Sequence, residues 1–400
     1  MKIAQSAESV KTTRGEEDHA QHSRQSPSRP GGTTGTVGCW IREHGFLPLD
    51  GSAYALASGH DLALYNRISG FQLGDFDLAL YDGSHLFEHY LHVQGALPAS
   101  DYSLIHNPEV VRKIAAPGSL GALVLEFLAA EGPATLRDLR AQLGAAARDA
   151  RRTLGRVVHA LYANGAILIR QRDGRQELYD LAERVLPQRQ PRVLSVEERL
   201  RELARRTLRV LAPVTRPVWS QALNALGSRA KLGLEAMKRE KGSLISHLLA
   251  DREAVLVEVE DPPEWYVVPA DWIAAMESPA TVAAPRVSFL SDIDPLIWDR
   301  QRARDLFRFD FRRPVHLPVE GRRIATLAIL YGVSLVGRIS CQVSWPTQRL
   351  LVHDIAFTDP TVLDDQHFRH AFAAAVEGLA GFHEARAIEA AGPLPPRLLP

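Results

Sequence analysis

Apolar positions recur along this chain first with a helical period and later with a strand period. Leu120, Leu123, Val124, Phe127 and Leu128 follow the i, i+3, i+4, i+7, i+8 spacing of a helix that buries one face. Gly132 and Pro133 end it. Thr135 then serves as an N-cap with Asp138 three residues on, and Leu136, Leu139 and Leu143 mark a second, short helix. In the next helix Ala150, Leu154, Val157, Val158 and Leu161 share one face, while Arg148, Arg151, Arg152 and Arg156 gather on the other. Ala166 to Arg170 and Gln176 to Leu181 alternate around Asp173-Gly174, a favoured hairpin turn. Helix, turn, recognition-like helix and two-stranded wing follow one another in the order of a winged helix-turn-helix.

The same reading extends to both sides. Val37 to Pro117 reads as mostly helical, with aromatics from Tyr54 to Tyr102, and predicts an all-helical packing unit. Pro187 to Pro191 reads as a linker. Val196 to Leu249 is helical again, with Leu200, Leu203, Thr207, Leu208 and Leu211 on one stripe, and Ala254 to Val259 with Glu264 to Val268 supplies its wing. From Val287 strands dominate: Ile324 to Tyr331, Leu335 to Cys341 and Leu350 to Phe357 form a meander, and Phe368, Phe372, Val376 and Leu379 a last amphipathic helix.

The 47 basic and 47 acidic residues cancel, so a global electrostatic case for nucleic acid fails. Their distribution restores it. Arg137 to Arg175 holds nine Arg against three Asp, a net of +6, and Arg192 to Lys241 holds twelve Arg and Lys against five Glu, a net of +7. Phosphate contacts need clustered charge of this kind, although Arg-rich helix faces are also commonly just solvated. The 400 residues, 46% of them apolar, suffice for several cores. Cys39 and Cys341 supply neither a disulfide framework nor a zinc ribbon. No apolar run approaches the ~20 residues of a membrane span, and the N-terminus lacks the apolar core of a signal peptide. A soluble protein of the cytoplasm is expected, without cofactor or metal. Residues 1–36 are Ser-, Gly-, Pro- and Thr-rich and are expected to be disordered.

Several stretches resemble the YcaQ/AlkZ group of winged-helix DNA glycosylases: Thr153 to Arg170, Leu178 to Pro187, Leu290 to Arg300 and Leu306 to Phe311. Phe87 to His92, Gly132 to Leu139 and Leu335 to Arg338 match as well, so the similarity runs from Ile41 to Arg386. The resemblance implies an α+β fold of tandem winged helix-turn-helix units around a C-terminal β-barrel. It also implies excision of alkylated bases, interstrand crosslinks included, from double-stranded DNA. Members share a short catalytic motif of Gln, an apolar residue, then Asp or Gln, after a long first helix. Here the motif falls on Phe46 to Asp50, with Asp50 kept and Pro48 at the Gln position; the first helix is not recognisable in residues 1–36. Excision passes through an oxocarbenium-like sugar, which a carboxylate stabilises while a neighbouring amide holds the water. Proline has no side-chain donor or acceptor. Asp50 reads equally well as the cap of a helix starting at Gly51 or Ser52.

His85, Glu88 and His89 have the H-x-x-E-H spacing of inverted zincins, both imidazoles falling on one face if the segment is helical. In a chain with 15 His such spacing arises by chance, and a helix packing its aromatic face is the simpler reading. Glu88, His92 and Arg338 remain candidates for a DNA cleft, and Arg322 and Arg323 for phosphate contacts. Asp294, Trp298, Asp299 and Arg300 read as a structural brace containing a partly buried ion pair. The expected division is 1–36 disordered, 37–117 a helical winged-helix-like unit, 118–187 the winged helix-turn-helix, 192–270 a third such unit and 285–390 the barrel with its helix. Asp50 is the expected catalytic residue; Arg148, Arg151, Arg152, Arg156, Arg170, Arg172 and Arg175 are expected to hold phosphates. The alternative is a winged-helix DNA-binding protein without catalysis, a regulator or lesion-binding shield. No protein partner is inferable.

Overall fold

The computed structural model describes residues 2–3, 33–49, 56–82, 85–143, 150–173, 176–229, 244–260, 263–277, 285–311, 324–395 and 398–399. The protein is a mixed α+β structure whose described strands form four separate sheets. The first strand, β1 (Lys2–Ile3), lies far from the next described element, helix α1 (Thr33–His44). A helix therefore does precede the Phe46 to Asp50 motif, although it lies mostly beyond residue 36. Strand β2 (Leu47–Pro48), helices α2 (Gly59–Tyr65) and α3 (Asp75–Tyr81), and strands β3 (Leu86–Tyr90) and β4 (Gln94–Pro98) complete the N-terminal unit.

The all-helical expectation for residues 37–117 is corrected here: β2, β4 and β3 form a three-stranded antiparallel sheet in that order. Leu86 to His89 are all buried, because α3 covers one side of β3 and later elements cover the other. A strand buried on both faces loses its period-2 alternation, and a short apolar run then mimics a helix. Leu47 pairs with Ala96 and Pro48 with Gly95. Gly95 must be glycine, since a Cβ there would overlap the Phe46 ring and lie 2.5 Å from the Leu47 carbonyl oxygen.

After the short helices α4 (Tyr102–Ile105) and α5 (Pro108–Ile114), the central unit follows its sequence pattern closely. It runs α6 (Leu120–Glu131), β5 (Ala134–Thr135), α7 (Leu136–Leu143), α8 (Ala150–Ala163), β6 (Ile167–Asp173) and β7 (Gln176–Leu181), with sheet order β5-β7-β6. Ser119 caps α6, accepting a bond from the Ala122 amide at 3.2 Å. The Asp138 amide donates to the Thr135 hydroxyl while the Asp138 carboxylate accepts from the Thr135 amide, a reciprocal cap for α7. Val124, Leu128, Leu139, Leu154, Val158 and Leu161 meet in one core. Removing these six side chains from water supplies on the order of 10 kcal/mol of gross burial energy. The hairpin residues 174–175 lie outside the described residues.

Helix α9 (Ala182–Val185) leads to α10 (Val196–Leu211), which opens with a capping box of Ser195 and Glu198 and buries the predicted stripe of Leu200, Leu203, Thr207, Leu208 and Leu211. It packs with α11 (Arg216–Arg229) and the hairpin β8 (Ala254–Glu260) and β9 (Pro263–Pro269), and β1 pairs with β8 to make β8 the central strand of a three-stranded sheet. The expectation of disorder for residues 1–36 is not met at Lys2–Ile3, which form β1, or at residues 33–36, which open α1; the rest of that segment lies outside the described residues.

The C-terminal unit departs from the expected barrel. Strands β10 (Val287–Leu290), β11 (Ala325–Tyr331), β12 (Ser334–Ser344), β13 (Arg349–Phe357) and β14 (Ala387–Ala390) form one open sheet in sequence order. Its last pair is parallel, and β10 and β14 stay at opposite edges. The helix Gln366–Phe382 lays Phe368, Phe372, Val376 and Leu379 against this sheet. A helix covering one face removes the need for the sheet to close on itself.

Candidate active site and nucleic-acid interface

Helix α1 closes with the Gly45 amide donating to the Ile41 carbonyl at 2.6 Å, and Gly45 takes φ 84° to turn the chain into β2. The Leu49 amide then donates to the Gln94 carbonyl at 3.0 Å. Pro48, which has no amide proton, sits on the edge strand of its sheet, where none is required. This geometry holds the motif strand beside a cavity of about 610 Å³. The cavity walls come from the last turn of α1, from β2, from His92 in the β3–β4 turn, from the C-terminal end of α10 and from Pro295 to Trp298.

Aromatic rings dominate these walls. Trp40 and His44 stack with centroids 4.0 Å apart, one turn from each other on α1. Phe46 lies 5.3 Å from His92, and His92 5.5 Å from Trp298. The Arg302 guanidinium carbon is 5.5 Å from the Trp298 ring centre, a cation–π distance. Arg302 is buried and donates to the carbonyls of Leu211, Pro213 and Pro295; burial holds its pKa below the ordinary arginine value.

The brace expected around Asp294 exists, with a different partner. Asp294 is fully buried and receives two bonds of 2.7 Å from Arg67 of the N-terminal unit. Arg67 also lies 6.0 Å from the Trp40 ring, so the ion pair fixes one cavity wall. Asp299 caps the helix Arg300–Phe307 by accepting from the Gln301 and Arg302 amides, and Arg300 is exposed.

Glu88 and Arg172 form a second long-range brace. Glu88 is fully buried on β3 and accepts from Arg172 Nε at 2.8 and 3.0 Å and from Nη2 at 2.5 Å. Gln94 and Tyr81 donate to the same carboxylate, and Arg172 also donates to Glu177 at 2.9 Å. Burial first, then the Glu88 charge, pushes the Tyr81 hydroxyl well above the usual tyrosine range. Arg172, expected on phosphate, therefore fastens the β6–β7 hairpin to the N-terminal sheet, and Glu88, expected at a cleft, lies inside that joint. The helical zincin geometry is corrected too. On a strand Glu88 points away from the face shared by His85 and His89. His89 is buried and bonds the Tyr162 carbonyl through Nε2 at 2.9 Å, and burial lowers its pKa to about 4.

Of the expected phosphate contacts, Arg156 and Arg170 are exposed on α8 and β6. Arg151 and Arg152 belong to α8, but their side chains are not described; Asp50, Arg148, Arg175, Arg322 and Arg323 lie outside the described residues. Arg338 sits on β12 with Asp354 at 3.7 Å and does not line the cavity. Among the described residues, four of the twelve basic residues of the second segment pair with acidic residues within the molecule. Arg201 and Arg205 pair with Glu253, Arg206 with Asp101 and Arg209 with Asp271. Sequence reasoning missed Trp40, His44 and Arg302. The i, i+4 spacing of Trp40 and His44, which puts them on one helix face, was the available signal.

The fold is mixed α+β with an aromatic cavity beside the motif strand, and the family comparison supplies its class, a DNA glycosylase acting on DNA. The family model for DNA glycosylase AlkZ-like proteins matches residues 49–382, and the chain belongs to that family. Among solved structures, the Streptomyces sahachiroi DNA glycosylase AlkZ is similar in fold, with a TM-score of 0.52 and 14% identity over 84% of this chain and 89% of that one. Among the described residues no helix is long and apolar enough to cross a membrane.

Proposed function

We propose that this protein hydrolyses the N-glycosidic bond of alkylated bases in duplex DNA, crosslinked bases included, with the target base turned out of the helix into the aromatic cavity. The observation that carries this is the cavity itself: about 610 Å³, walled by Trp40, Phe46, His92 and Trp298 and bordered by the motif strand. That volume falls in the range of about 300–1,000 Å³ of small-molecule sites. Rings on several sides suit a flipped base, and they suit an N-alkylated, positively charged base best. The last turn of α1 lines the same space, and the carbonyl end of a helix favours positive charge, whether on the base or on an oxocarbenium-like sugar.

In this reading Asp50, two residues past Pro48, stabilises the sugar cation and orients the water. The central unit is a winged helix-turn-helix, the units around residues 37–117 and 192–270 are its relatives, and Arg148, Arg151, Arg152, Arg156, Arg170 and Arg175 hold phosphates. The name of the Streptomyces structure supports DNA glycosylase chemistry.

Pro48 favours a second reading, a DNA-binding protein without catalysis. Product analysis on duplexes carrying 7-methylguanine separates the two. Free 7-methylguanine and an abasic strand are expected; tight binding of the same duplex with no free base would sustain the second reading.

A further inference from the structure

His44 provides what Pro48 lacks. It is the last residue of α1, is exposed, and lines the cavity together with Pro48. Its Nδ1 lies 2.9 Å from the Trp40 carbonyl oxygen. A carbonyl oxygen only accepts, so Nδ1 carries the proton and Nε2 of the neutral ring is left as an acceptor. Stacking on Trp40 at 4.0 Å with an interplanar angle of 15° fixes the ring plane. Among the described residues Nε2 has no partner. Glu43, the single carboxylate among the described lining residues, stands next to it.

We propose that His44 is a catalytic residue of this protein, its Nε2 binding the attacking water and accepting the water's proton. The inference rests on the glycosylase reading above. The water oxygen forms a bond to C1′ of the sugar while the C1′–N bond breaks. The bonding pair goes to the base and cancels the positive charge of a 7-alkylated ring, so the leaving group needs no proton. The proton released by the water passes to Nε2, and Glu43 offsets the charge of the resulting imidazolium. A tautomer locked by a backbone carbonyl is the arrangement that makes a histidine a defined acceptor.

The test compares His44→Phe, which keeps a ring stacked on Trp40 and removes Nε2, with His44→Gln, which keeps an acceptor. Single-turnover release of 7-methylguanine and the duplex dissociation constant are measured for each. His44→Phe is expected to slow release about 100-fold with a dissociation constant within about twofold of wild type. His44→Gln should retain more activity than His44→Phe. Adding Pro48→Gln to His44→Phe should recover at least about tenfold, because the amide then holds the water. Wild-type release by His44→Phe, weakened binding that accounts for the whole loss, or no recovery in either Gln variant overturns the proposal while leaving the glycosylase reading intact. A wild type that binds and releases nothing overturns both.

Discussion

Buried imidazoles couple the stability of this protein to acid. His89 is the clearest case: burial lowers its pKa from 6.5 to about 4, outweighing its bonds to the Tyr162 and Tyr90 carbonyls. The unfolded chain binds this proton more tightly than the native state does. The stability contributed by neutral His89 is therefore complete above about pH 6.5 and is lost as pH falls towards 4. On the order of 3 kcal/mol disappears across that window. Urea denaturation at a series of pH values should show this slope, and His89→Gln, which keeps a donor for the Tyr162 carbonyl, should flatten it. A residual slope is expected, because burial lowers the pKa of His106 and His383 as well. An unchanged slope in His89→Gln would remove His89 as its source. The burial of these side chains was readable as apolar context, but their partners were not. Glu88 meets Arg172 from 84 residues away and Asp294 meets Arg67 from 227, separations that no local spacing encodes.

Elements with one exposed face announced themselves. Helices α8 and α10 kept their apolar stripes because water lies on the opposite side, and the helix Gln366–Phe382 followed its pattern for the same reason. The strand β3 did not, being covered on both faces, and the open edges of the C-terminal sheet were invisible because closure depends on register between distant strands. The pairing of β2 with β4 is the element on which the candidate site depends most. Gly95→Ala should cost about 3 kcal/mol by forcing Phe46 and the Leu47 carbonyl aside, shifting Pro48 from the cavity wall. Gly35→Ala is the contrast: nothing lies within 4 Å of a Cβ there, and alanine in α1 should stabilise by about 0.5–1 kcal/mol. Both are read from denaturation midpoints. A Gly95→Ala protein of wild-type stability would contradict the strand pairing.

At the scale of the whole molecule, neutral net charge hides a division between paired and unpaired arginines. Arg201, Arg205, Arg206 and Arg209 of α10 answer acidic residues within the fold, whereas Arg156 and Arg170 face solvent. Replacing Arg148, Arg152 and Arg156 with alanine should weaken binding to all duplexes alike and reduce the slope of log affinity against log salt by about 2–3. Arg172→Met should leave the slope unchanged and destabilise the protein, since Glu88 then stays buried without its cation. An unchanged slope in the triple variant would take the α8 face out of the interface. The cavity could not be read in advance because α1, β2, α10 and the Pro295 to Trp298 segment reach it from across the chain. Among its lining residues, Phe46 and Pro48 were marked beforehand through the family motif, His92 as a cleft candidate and Trp298 as part of a brace. The most direct measurement is single-turnover release of 7-methylguanine by wild type and Asp50→Asn at equal DNA occupancy. Release by wild type, slowed at least about 100-fold in Asp50→Asn with duplex affinity unchanged, is the expected result. Release at the wild-type rate by Asp50→Asn, or none by a wild type that binds the duplex, would contradict it.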